Sequence, residues 1–190
     1  MKLALLVSAL AALAAPAAAQ APDPSAVRLT TDSTAEDVAG TSAASQSILS
    51  YHNNLRGQWS APPVIWDAEL AQAAKDATAQ CQFGGNDGGK LGWVTWYWAG
   101  SWGRRPRFNA LDASQYWART ADQHKNGGGN NFDSFAIGVW KNQEAIGCAW
   151  KRDCQRGGWQ GNSMTWLCLY DNQWDGTDAN AKENVGPYKG

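Results

Sequence analysis

Apolar and polar positions divide the chain into three regimes. Behind Lys2 comes an apolar run from Leu3 to Leu13, interrupted only by Ser8. From Gln20 to about Ser45 the large apolar residues almost vanish, and Ala, Ser, Thr, Pro and Asp take over. Such a stretch cannot bury enough surface to order itself, so residues 20–45 read as a flexible leader or pro-segment. From Gln46 onward the apolar residues become periodic, first at helical and later at strand spacing.

Ile48, Leu49, His52 and Leu55 fall on one helical face, predicting a first helix from about Gln46 that ends before Gly57. Pro62-Pro63 turns the chain, and Val64-Ile65-Trp66 leads into Asp67, a good N-cap. Behind it Leu70, Ala71, Ala74, Ala77, Thr78 and Cys81 make a stripe of mostly small residues, so a second helix can approach its neighbour closely. The glycine-rich stretch from Gly84 to Gly89 ends that pattern. A third helix is expected from Asp112 to His124, with Asp112 as cap, Gln115 at the capping-box position and Tyr116-Trp117 facing inward.

Beyond Gly127-Gly128-Gly129 the period shortens. Phe135 to Trp140 and Ala145 to Trp150, joined by the polar turn Lys141-Asn142-Gln143-Glu144, read as a hairpin. Met164, Trp166, Cys168 and Tyr170 alternate with Thr165, Leu167 and Leu169, a central strand covered on both faces. Helices first and antiparallel strands later imply an α+β fold, a three-layer α-β-α sandwich with a central antiparallel sheet. The mature length suits one domain, residues 46–190.

The first regime sets the compartment. A positive start, a short apolar core and the small-residue end Pro16-Ala17-Ala18-Ala19 form a signal peptide over residues 1–19, so the mature protein is expected to be secreted. The run is too short for a membrane span, and no later segment is apolar enough to make one. Losing Lys2 takes the formal charge from −1 to −2, too little positive charge for a nucleic-acid partner. No Asn-x-Ser/Thr sequon is present. The four cysteines, Cys81, Cys148, Cys154 and Cys168, read as two disulfides with three possible pairings. With no Cys-x-x-Cys pair and only His52 and His124, their spacing does not suit a metal. Twelve Trp promise a heavily aromatic core with aromatic surface to spare.

Several ordered motifs carry a family resemblance. His52-Asn53-Asn54-Leu55-Arg56, Ile65-Trp66-Asp67-Ala68-Glu69-Leu70-Ala71, Val139-Trp140, Ala145-Ile146-Gly147-Cys148-Ala149, Cys168-Leu169-Tyr170 and Glu183-Asn184-Val185 appear in that order. Together they resemble the CAP superfamily of cysteine-rich secretory, antigen-five and pathogenesis-related class 1 proteins, in its fungal-like form. The resemblance implies the α-β-α sandwich and the pairings Cys81–Cys154 and Cys148–Cys168. It also implies a cleft that in many members holds a divalent metal between two His and two Glu. The matching positions here are Gly85, Gly89, Thr120 and Ser134, so all four ligands are replaced. Lys90 beside that cleft would repel a cation, and neither metal nor other cofactor is expected. His52 reads as a structural residue of its helix and His124 as a helix-end residue favoured by the dipole. Ser134, His52 and His124 show no catalytic spacing, and the protein is expected not to be an enzyme.

The remaining conspicuous feature is the loop from Trp93 to Trp102, followed by Arg104, Arg105 and Arg107. About half of these aromatics are expected to pack in the core, and Trp93, Trp96, Tyr97, Trp98 and Trp102 are the candidates for an exposed platform that binds a sterol or fatty acid. Fungal relatives bind sterols through a loop resembling a caveolin-binding motif; here Ser101 or Gly103 stands at its last aromatic. The resemblance therefore implies a secreted binder of a hydrophobic ligand. The alternative is a secreted effector that meets a host or cell-wall target.

Overall fold

The structure, a computed structural model, describes residues 40–82, 92–99, 112–125, 134–154, 163–172 and 183–189. Within 92–99 the backbone is described throughout, and of the side chains that of Thr95.

Helix α1 spans Ala43–Gln58, three residues earlier than the apolar spacing suggests, because Ser42 caps it by accepting from the Ser45 amide. Ala44, Ile48, His52 and Arg56 recur every four residues along its buried face. The helix passes through the exposed Gly57 and stops where the Trp59 amide bonds back to Arg56. Strand β1, Ile65–Trp66, precedes α2, Ala68–Ala79. The Asp67 carboxylate accepts from the Leu70 amide at 2.8 Å, as its N-cap position requires.

Three further strands complete a four-stranded sheet: β2 (Gly92–Ala99), β3 (Ala145–Arg152) and β4 (Ser163–Tyr170). Their order is β1-β3-β4-β2. β4 lies between β3 and β2, antiparallel to both, with all eight residues buried. β1 pairs parallel to β3 through Ile65↔Ala145 and Trp66↔Ile146, so the sheet is mixed rather than antiparallel throughout. The small-residue stripe of α2 packs over β3 and β4 on one face. A Cβ at Gly147 would run into the Ala71 amide nitrogen and the Leu70 backbone, so glycine permits that approach.

The opposite face carries Tyr170, Cys168, Trp166 and Met164, and α1 meets it through His52. Two short helices, α3 (Asp112–Ala118) and α5 (Ser134–Gly138), pack there against β2. Trp150 and Trp166 stack at 4.8 Å, and register sets Trp96 in the same row across the sheet. With its layers of α2, sheet and the remaining helices, the chain is an α-β-α sandwich.

Both disulfides follow the implied pairing. Cys148–Cys168 joins directly opposed residues of β3 and β4, and Cys81–Cys154 ties the end of α2 to the end of β3. Three sequence expectations need correction. Residues 135–140 are not a strand: Phe135 to Gly138 lie in α5, all buried, and a short apolar run does not distinguish strand from buried helix. The hairpin partner of β3 is therefore β4. The third helix breaks into α3 and α4, Ala121–Lys125, because Thr120 turns the chain and its carbonyl accepts from Gln123. The aromatic segment is not a loop over residues 92–99, but the edge strand β2.

Candidate functional site

α1, α3, α5 and the end of β4 line a small recess that opens to solvent at its mouth and encloses space for about one water. Tyr51, His52, Leu55, Ser114, Trp117, Ser134, Phe135, Gly138 and Tyr170 contribute to its lining. Helical spacing sets Ser114 and Trp117 on one side of α3, and both are buried. Trp117 also donates its indole N–H to the Thr95 carbonyl of β2 at 3.1 Å, which fixes α3 to the sheet edge.

His52 and Tyr170 form the polar floor. His52 Nδ1 lies 2.9 Å from the Ile48 carbonyl, which can only accept, so Nδ1 carries the proton. In the neutral ring Nε2 is then an acceptor, and the Tyr170 hydroxyl donates to it at 3.1 Å. Burial lowers the His52 pKa to about 4; the Ile48 hydrogen bond opposes this and the nearby Arg56 charge adds to it. Burial raises the Tyr170 hydroxyl well above the ordinary tyrosine range, against the pull of Arg56. At neutral pH the pair is uncharged.

Arg56, one helical turn beyond His52, is fully buried. Its Nε donates to Pro62 O at 2.6 Å, Nη1 to Gly138 O and Trp140 O, and Nη2 to Gln143 O. Burial lowers its pKa, and Tyr170 and Asp171 offset this electrostatically. The guanidinium thus joins α1 to the chain entering β1 and to the exit of α5.

The profile of the cysteine-rich secretory protein family, CAP, matches residues 49–170, which contain every residue that lines the recess. The chain belongs to the CAP family. It is 29% identical over 135 residues to the secreted protein RBT4 of Candida albicans, covering 66% of this chain and 34% of that one. The chain therefore spans about a third of that relative's length. Its fold is similar to the crystal structure of Na-ASP-1, with TM-score 0.54, 17% identity, and coverage of 76% of this chain and 40% of that one. It is also similar to the structure of BmVAL-1, with TM-score 0.54, 15% identity, and coverage of 75% and 81%. Like its fungal relative, this CAP protein is secreted.

The metal associated with many CAP clefts does not fit the described residues. Both His52 nitrogens are engaged, Ser134 offers only a neutral hydroxyl, and the buried Arg56 stands behind Gly138. Among the described residues no group of three or more His, Cys, Asp or Glu is placed to hold a metal ion. The same engagement leaves His52 no free nitrogen with which to take a proton from Ser134.

The structure brings Ser134 into the recess with His52, whereas Thr120, in the α3–α4 turn, is not among the lining residues. Gly85, Gly89 and Trp102 lie outside the described residues. Trp93, Trp96, Tyr97 and Trp98 all belong to β2, but strand alternation divides them. Trp96 and Trp98 share the face of Trp166 and Met164, and Trp93 and Tyr97 share the face of Leu169 and Thr165, on which α2 packs. His124 packs against Trp59 and Phe135 near the end of α4.

Sequence reasoning missed Arg56, Tyr170 and Ser114. The four-residue interval between His52 and Arg56, and a tyrosine hydroxyl within an otherwise apolar strand, were the available signals. Ser114 carries no such signal.

Proposed function

We propose that this secreted CAP protein binds a hydrophobic ligand, a sterol or a fatty acid, through the aromatic strand β2. One observation carries the reading: Trp93 and Tyr97 occupy the edge strand on the face where α2 lies over β3 and β4, and β2 is the strand beyond them. An aromatic pair at the margin of a helix layer suits a flat apolar ligand. CAP members are generally not enzymes, and a binding role needs no catalytic group. Residues 1–19 would direct export and 20–45 would link to the domain.

Binding of a radiolabelled sterol and a radiolabelled fatty acid to the purified protein tests the proposal. Saturable binding is expected for at least one, with a loss of about ten-fold or more in affinity for Trp93→Ala plus Tyr97→Ala. Absence of saturable binding, or binding unchanged in that variant, would overturn it. A second reading, a secreted effector for a host or cell-wall target, draws on Ser134 standing at a cleft position where many family members carry His. Specific retention of a wall or host protein, by a chain that binds neither lipid, would favour that reading.

A further inference from the structure

The floor of the recess contains a hydroxyl with nothing to bond. Ser114 Oγ lies on α3 in a residue only 2% exposed, lines the recess, and has no hydrogen-bond partner. Buried polar groups are nearly always paired, and of the unpaired ones among the described residues Ser114 is the one that lines the recess, so it calls for an occupant. Beside it, Tyr170 has committed its proton to His52 and keeps oxygen lone pairs that can accept. Ser134 adds a second hydroxyl, while Leu55, Trp117 and Phe135 supply apolar walls. The enclosed part of the recess has space for about one water-sized group.

We infer that this recess binds the hydroxyl group of a neutral alcohol, whose apolar body lies against Leu55, Trp117 and Phe135. An alcohol hydroxyl both donates and accepts, and the floor offers both complements: the Tyr170 oxygen to accept, a serine hydroxyl to donate. An ammonium would face the buried Arg56 charge behind Gly138, with no carboxylate among the lining residues. A carboxylate would find only the neutral hydroxyls of Ser114 and Ser134 as donors, because the Tyr170 proton is used on His52 and Arg56 donates to four backbone carbonyls. Its lost hydration would go largely uncompensated. The recess lies on the sheet face opposite Trp93 and Tyr97, so the inference stands apart from binding at β2.

Three probes with the same four-carbon body separate the possibilities: 1-butanol, butyrate and butylammonium. Each is titrated into the ¹⁵N-labelled full chain while the ring nitrogens of His52 and the indole N–H of Trp117 are followed by NMR. Saturable shifts of both are expected with butanol alone. Ser114→Ala should weaken butanol binding by about five-fold, and Ser134→Ala should act in the same direction. Preserved dispersion of the other indole resonances identifies folded variants. Equal or tighter binding of butyrate or butylammonium, no saturable response to butanol, or unchanged affinity in both folded serine variants would overturn the assignment.

Discussion

Tyr170 donates its hydroxyl proton to His52 Nε2 across 3.1 Å, joining the central strand of the sheet to the first helix through a buried bond between neutral partners. That bond exists only while His52 is uncharged. Protonating Nε2 would place two donors face to face, in a site already carrying the Arg56 cation.

Stability should therefore fall in mild acid. Unfolded His52 takes up a proton near its ordinary pKa of about 6.5, whereas burial holds the folded ring at about 4. Between these values the unfolded chain binds more protons, so the His52 contribution is complete above about pH 6.5 and lost as pH falls toward 4. The full loss is about 3 kcal/mol. Urea unfolding at a series of pH values checks this. Replacing His52 with Gln should flatten the dependence across that window, although the variant is less stable at neutral pH.

Arg56 should be among the most sensitive positions. Its truncation to Ala would leave the carbonyls of Pro62, Gly138, Trp140 and Gln143 without their donor. Each buried carbonyl left without its donor costs about 1–3 kcal/mol. Arg56→Lys keeps the charge, but a single ammonium cannot reproduce the planar fork that reaches four carbonyls. Thermal unfolding should rank wild type above Arg56→Lys, and Arg56→Lys above Arg56→Ala.

The elements closest to this site differ in how far they were legible beforehand. The cap at Asp67, the small-residue face of α2 and the buried alternation of β4 are local signals, and each leads to the observed element. Phe135 to Gly138 lacks such a signal: the run is apolar throughout, so its spacing cannot separate a buried helix from a strand. The aromatic stretch reads as a loop in the sequence, whereas pairing with β4 makes residues 92–99 an edge strand whose positions alternate between two faces. His52 and Tyr170 stand 118 residues apart, and Ser114 becomes a buried orphan only when α3 packs onto the sheet. Such relations arise from tertiary packing, which no sequence period encodes.

Two glycines should respond oppositely to the same change. Gly57 lies near the end of α1, exposed, with nothing within 4 Å of an added Cβ. Gly57→Ala should stabilise the protein by about 0.5–1 kcal/mol, because Ala restricts the unfolded chain and suits a helix. Gly147→Ala would push a methyl group into the α2 backbone at Leu70 and Ala71. That change should cost about 1–3 kcal/mol or more. Paired urea denaturation curves read both signs; equal effects would show that α2 does not rest directly on β3.

The two disulfides should also contribute unequally. Cys81–Cys154 closes a sequence separation of 73 residues and Cys148–Cys168 one of 20. Restriction of the unfolded chain then predicts roughly 4 kcal/mol for the first and 3 kcal/mol for the second. Native contacts widen the difference. β3 and β4 remain paired by their ladder from Ile146↔Tyr170 to Arg152↔Met164 without the Cys148–Cys168 bridge. The end of α2 keeps no covalent tie to β3 once Cys81–Cys154 is gone. Replacing each pair by Ala and comparing urea midpoints tests the order: the Cys81/Cys154 variant should unfold first, and the reverse order would place the greater constraint in the sheet.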